Sequence, residues 1–84
     1  MKVEVRLFAT LLAFLPPDSR DGAAILDLPD HSTIRDVIRR LGVPADLERV
    51  MLVNGLDALP DTHLHDGDVV TLFPPLTGGA RLPR

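Results

Sequence analysis

Residues Asp66 to Gly79 read DGDVVTLFPPLTGG, and the order of signals along that stretch decides the fold. Asp66-Gly67 is a turn dipeptide. Val69 to Phe73 has the β-branched and large apolar side chains of a strand. Pro74-Pro75 then stops it, because proline has no N–H to give to a ladder and holds φ fixed. On a pleated strand Val70 and Leu72 share one face, and Val69, Thr71 and Phe73 share the other. The glycine pair Gly78-Gly79 follows almost at once, so a slender segment is expected to leave the sheet here.

Working back from that strand, Val50 to Val53 reads as a short apolar strand closed by the turn Asn54-Gly55. Leu56 to Leu64 has no clean period and is expected to wrap irregularly around one edge. TIRDVIRRLG, Thr33 to Gly42, predicts a helix with a start, a face and a stop. Thr33 and Asp36 make a capping-box pair. Ile34, Val37, Ile38 and Leu41 form one apolar stripe. Arg39 and Arg40 occupy the last turn, Gly42 suits a left-handed end, and Pro44 forbids continuation. Nearer the N-terminus, Lys2 to Phe8 alternates as a half-buried strand, and Ala24, Leu26 and Leu28 share a face in a second. Between them Thr10 to Leu15 is apolar and ambiguous, and Pro16-Pro17 ends it. One helix across one face of a mixed sheet buries the stripe, which makes the fold class α+β.

The 84 residues suffice for one domain and contain no cysteine. Disulfides, thiolate metal sites and cysteine nucleophiles are therefore excluded. MKVEVRLFATLLAF is not a signal peptide, and its apolar run is too short to span a bilayer, so a cytoplasmic protein without membrane contact is expected. Residues 42–79 carry six acids against Arg49 alone. That imbalance argues against nucleic acid and suits a basic protein partner. His63 and His65 lie near Asp61, Asp66 and Asp68, but the segment reads as loop and its acids as turn formers, so no metal is expected. Arg35, Arg39 and Arg40 read as a solvated basic face. No catalytic triad, phosphate loop or paired carboxylates can be argued, so neither a catalytic residue nor a cofactor is expected.

The pleat gives one positive sign of function. Phe8 lies on the polar face of the first strand, beside Lys2, Glu4 and Arg6. If Val70 and Leu72 meet the helix, Phe73 faces away from it as Phe8 does. Two of the three phenylalanines would then share the outer face of the sheet, as a partner surface does.

The strand–strand–helix–strand order, VNG at Val53 to Gly55, and above all DGDVV-LFPP-TGG together resemble the ubiquitin-like β-grasp sulfur carriers of the MoaD/ThiS family. Within it they most resemble the small subunit of molybdopterin synthase. The resemblance runs from Lys2 to Gly79. It implies a non-catalytic carrier with a β-grasp domain over residues 1–79. An ATP-dependent, ubiquitin-activating-like enzyme would adenylate Gly79, which would then carry sulfur as a thiocarboxylate in molybdenum or tungsten cofactor biosynthesis. Gly78, Pro74 and Pro75 would form the tail, with Phe8 and Phe73 in the docking surface. The partners implied are that adenylating enzyme and the molybdopterin synthase large subunit, or another sulfur acceptor. Members of that family end at the second glycine, whereas Ala80 to Arg84 follow here. Either a peptidase removes residues 80–84, or the chain is a non-conjugating interaction module; a protein modifier joined through Gly79 is the third reading.

Overall fold

The structure, a computed structural model, describes residues 1–44 and 46–75. Its strands are β1 (Lys2–Leu7), β2 (Ala23–Asp27), β3 (Val50–Val53), β4 (Leu56–Asp57) and β5 (Val69–Phe73), with one α-helix, α1 (Ile34–Leu41). They form a single five-stranded sheet in the order β2-β1-β5-β3-β4. The central pair, β1 and β5, is parallel and the other three pairings are antiparallel. This mixed sheet with one helix on a face is the ubiquitin-like β-grasp.

Register places the core. Val5 lies opposite Val70 and Leu7 opposite Leu72, so the apolar sides of β1 and β5 face the same way. Val3, Val5, Leu7, Val70 and Leu72 are at most 1 % exposed, and the helical stripe of Ile34, Val37 and Ile38 closes over them. Each such side chain is worth about 1.5–3 kcal/mol on burial. The ambiguous stretch after β1 is a 3₁₀ helix, Ala9–Phe14, that sends Leu11 into the core.

The helix begins and ends as its residues dictate. Thr33 and Asp36 form a capping box, in which the Asp36 carboxylate accepts the Thr33 N–H at 2.8 Å and its hydroxyl at 3.2 Å. The segment after β4 closes the same end, because the Ile34 and Arg35 N–H groups donate to the carbonyls of Thr62 and Pro60. These are first-turn donors that no helical carbonyl can reach. The irregular stretch therefore fastens to the helix N-terminus, and its first residues, Leu56–Asp57, pair with β3 as an edge strand.

The backbone N–H of Thr33, above all, holds the Asp36 carboxyl below its ordinary value of 3.8; the Thr33 hydroxyl, Arg39 and Arg35 act the same way, against some desolvation. A carboxyl with a lowered folded pKa stabilises the fold above its unfolded value, and that contribution fades as pH falls through the lower, folded value. Asp36→Asn should thus leave the acid limb of the denaturation midpoint flatter below about pH 4 than in the parent, as urea titrations at stepped pH will show.

At the other end Gly42 adopts φ 81°, and its N–H donates to the carbonyls of Ile38 and Arg39. A β-carbon there would meet no atom within 4 Å. The cost of Gly42→Ala is therefore conformational, about 1–2 kcal/mol for an L-residue held left-handed. A fall of a few degrees in Tm is expected, and no change in the shape of the transition.

Candidate docking surface

β1 and β5 end side by side. The Phe8 N–H donates to the Leu72 carbonyl at 3.3 Å, continuing the register that sets Leu7 against Leu72. Side chains alternate across a strand, so with Leu7 and Leu72 in the core the next residues, Phe8 and Phe73, emerge together on the outer face. Their ring centroids are 6.5 Å apart with planes at 87°, the edge-to-face arrangement that the ring quadrupoles favour. Phe8 is 49 % exposed and Phe73 half-buried.

Ala9, Thr71, Pro74 and Pro75 join the two rings around an open depression of about 520 Å³. None of its lining residues is charged, and the Thr71 hydroxyl is its one polar side-chain group. Ala9 has φ 54°, a left-handed conformation that costs an L-residue about 1–2 kcal/mol. That turn takes the chain from β1 into the 3₁₀ helix while Phe8 stays outside. Strained backbone of this kind concentrates at sites where a particular side-chain placement is required. Further along the same face the surface is polar, with the Arg6 Nε 2.5 Å from Glu4. The depression has no titratable group among its lining residues, so what it offers is desolvation and shape.

The structure brings Phe8, Phe73, Pro74 and Pro75 together as one surface, and the covalent chain leaves at its rim. Gly78 and Gly79 lie outside the described residues, as do residues 80–84. His63 and His65 are exposed. Asp66 and Asp68 serve the backbone, their carboxylates accepting the N–H groups of Lys2 and His65. Among the described residues no three metal-ligating side chains gather, and no helix is long and apolar enough to cross a membrane. The pleat puts Thr71 on the Phe73 face, but nothing in the sequence gives it a role. Ala9 is not legible in the sequence at all, because nothing in an alanine announces a positive φ.

The profile of the Mut7-C ubiquitin family matches residues 1–77. The chain belongs to that family. No curated protein matches the sequence. Among solved structures, this Mut7-C ubiquitin chain is similar to the molybdopterin converting factor subunit 1 of Pyrococcus furiosus, at 27 % identity and TM-score 0.67 over 88 % of this chain and 97 % of the other. It is similar also to SAMP1, the small archaeal modifier protein of Haloferax volcanii, at 26 % identity and TM-score 0.72 over 94 % of this chain and all of the other. A chain in the complex of molybdopterin-converting factor subunits 1 and 2 from Helicobacter pylori shares the fold, at 23 % identity and TM-score 0.58 over 89 % and 95 %. The resemblance read from the sequence holds in its coarser form: the Mut7-C ubiquitin chain is a small β-grasp protein related both to MoaD/ThiS-type sulfur carriers and to archaeal SAMP modifiers.

Proposed function

We propose that the chain is a ubiquitin-like interaction protein that docks on a partner protein through Phe8 and Phe73, with Thr71, Pro74 and Pro75 completing the surface. The observation that carries this reading is the uncharged aromatic depression, which lies where the chain leaves the sheet. Aromatic residues with an apolar surround are what binding energy concentrates on, and Pro74-Pro75, which end the last strand, line the same depression. The reading can be tested by placing a photo-cross-linking amino acid at position 73, and at position 25 as a control, in the host cell. Ile25 is 62 % exposed but lies on β2, an edge strand, and is not among the residues lining the depression. One discrete adduct from position 73 and none from position 25 is the expected pattern. Matching faint smears from both would sink the proposal.

A second reading rests on Gly78-Gly79 and on the similarity to both a molybdopterin converting factor subunit and SAMP1. After hydrolysis of the Gly79–Ala80 bond, an adenylating enzyme would activate the Gly79 carboxylate with ATP. Adenylation releases pyrophosphate, and a sulfide-level sulfur donor would then displace AMP to leave a thiocarboxylate. Its sulfur would pass to an acceptor such as a molybdopterin synthase large subunit, which returns Gly79 to a carboxylate. Alternatively, a lysine amine of a modified protein would displace the leaving group to form an isopeptide bond. Glycine suits such a tail because a partner can enclose it without a β-carbon in the way. Mass spectrometry of protein from its host separates the outcomes: a thiocarboxylate at Gly79, a branched peptide joined through Gly79, or a chain that retains Arg84. The last leaves docking alone.

A further inference from the structure

On the opposite side of the sheet, three guanidiniums line one cavity of about 400 Å³. Arg35 and Arg39 are four residues apart on α1 and so project from one side of the helix. Arg40 departs from them, its Nη1 donating to the Asp27 carbonyl at 3.4 Å. Arg49 comes from the segment leading into β3 and lines the same cavity. The rest of the lining is apolar: Ile38, Val43 and Pro60, of which Ile38 and Val43 are each 5 % exposed. The basic face read from the helix sequence is thus half of a concave site, which Arg49, the one base of residues 42–79, completes.

Arg49 is not merely spread on the surface. Its Nε is buried and its Nη1 donates to the Leu47 carbonyl, which fixes the guanidinium. Arg35 and Arg39 each commit an Nη1 to a carboxylate, the first to Asp61 and the second to Asp36 at 3.5 Å. Those carboxylate side chains are 77 % and 41 % exposed. Exposed pairs of this kind are worth roughly 0–1 kcal/mol, so a better acceptor displaces them at small cost. A guanidinium has five N–H donors, so Arg35 and Arg39 keep donors beyond these pairs for another anion, and Arg49 adds its fixed positive charge to the same cavity. Gathering like charges around an apolar floor is unfavourable in itself and becomes favourable when a multiply charged anion enters.

The geometry points to a binding site for a phosphate monoester in this cavity. Such a group carries a charge of about −1.5 to −2 near neutral pH and three terminal oxygens, which matches the charge of three guanidiniums and the donor forks of Arg35 and Arg39. A carboxylate has one charge and two oxygens, enough for one fork. The ester carbon would lie on Ile38, Val43 and Pro60. The site is separate from the aromatic surface and occupied independently of it.

The test is a ¹H–¹⁵N NMR titration of the whole chain at low salt with inorganic phosphate, O-phosphoserine and acetate in turn. Saturable shifts are expected around Arg35, Ile38, Arg39, Val43 and Arg49, with both phosphates at least about tenfold tighter than acetate, since charge-assisted bonds are worth about 1.5–3 kcal/mol each. Phosphoserine binding more tightly than phosphate would make the ligand a phosphorylated molecule, whereas equal binding would make it the free oxyanion. Arg49→Gln and Arg39→Gln should each weaken binding about tenfold or more. The second variant alters a side chain that is 71 % exposed, so the result does not hang on whether Arg49→Gln folds. Shifts that never saturate, acetate binding as tightly, or indifference to both substitutions would overturn the proposal. Because no partner is present in these titrations, such a failure would leave the reading of Phe8 and Phe73 intact.

Discussion

Leu72→Ala should lower the stability of the fold by about 2–5 kcal/mol, the largest loss expected from any single truncation considered for this chain. Leu72 is fully buried at the middle of the sheet: its strand lies between β1 and β3, and its register partners are Leu7 on one side and Met51 on the other. Removing three carbons therefore opens a cavity in the core between the sheet and the helix, among side chains such as Leu7, Leu11, Ile34 and Val37. A domain of this length has a total stability of roughly 4–13 kcal/mol, so the variant stands near the edge of folding. Urea denaturation followed by circular dichroism will show it as a lower midpoint with an unchanged slope. A loss under about 1 kcal/mol would mean that the site relaxes freely, contrary to its position in the sheet.

That sensitivity follows from how the sequence specifies the fold, and the same reasoning shows what it left obscure. Val50–Val53 and Val69–Phe73 were legible to the residue, because Asn54-Gly55 closes the first apolar run after the charged Glu48-Arg49, and Asp66-Gly67 and Pro74-Pro75 bracket the second. The helix was legible because Thr33, the apolar stripe and Gly42 mark its start, face and end independently. β4 was not, since both its residues are exposed; hydrogen bonds to β3 make it a strand, and no burial pattern records them. The 3₁₀ helix was hidden for a related reason. Only Leu11 in it is buried, and the apolar run around it carries no period. At the aromatic surface, pleat parity alone placed Phe8 and Phe73 together, and the parallel pairing of β1 with β5 supplied the rest. The arginine cavity needed tertiary structure, because Arg49 reaches α1 only across the turn that Gly42 starts and Pro44 follows.

Phe8→Asp should abolish the cross-link formed from position 73, with a loss of affinity of about thirtyfold or more. Truncation of an aromatic hot spot costs at least about 2 kcal/mol, and here a carboxylate would also lose its water when the partner closes over it. The fold should not suffer in proportion. Phe8 is 49 % exposed in the free protein, its N–H still donates to Leu72 whatever side chain it bears, and the buried side of β1 is untouched. Binding and stability therefore separate at this residue, as they cannot at Leu72. Leu56→Asp is the matching control: Leu56 is 73 % exposed and sits on β4, at the edge of the sheet furthest from β2. It removes comparable exposed apolar surface and adds the same charge. If the partner is held by general hydrophobicity or by repulsion-sensitive charge, both substitutions weaken the adduct alike. If it is held by the two rings and the prolines beside them, only Phe8→Asp does so, and the surface at the root of the tail is the docking site.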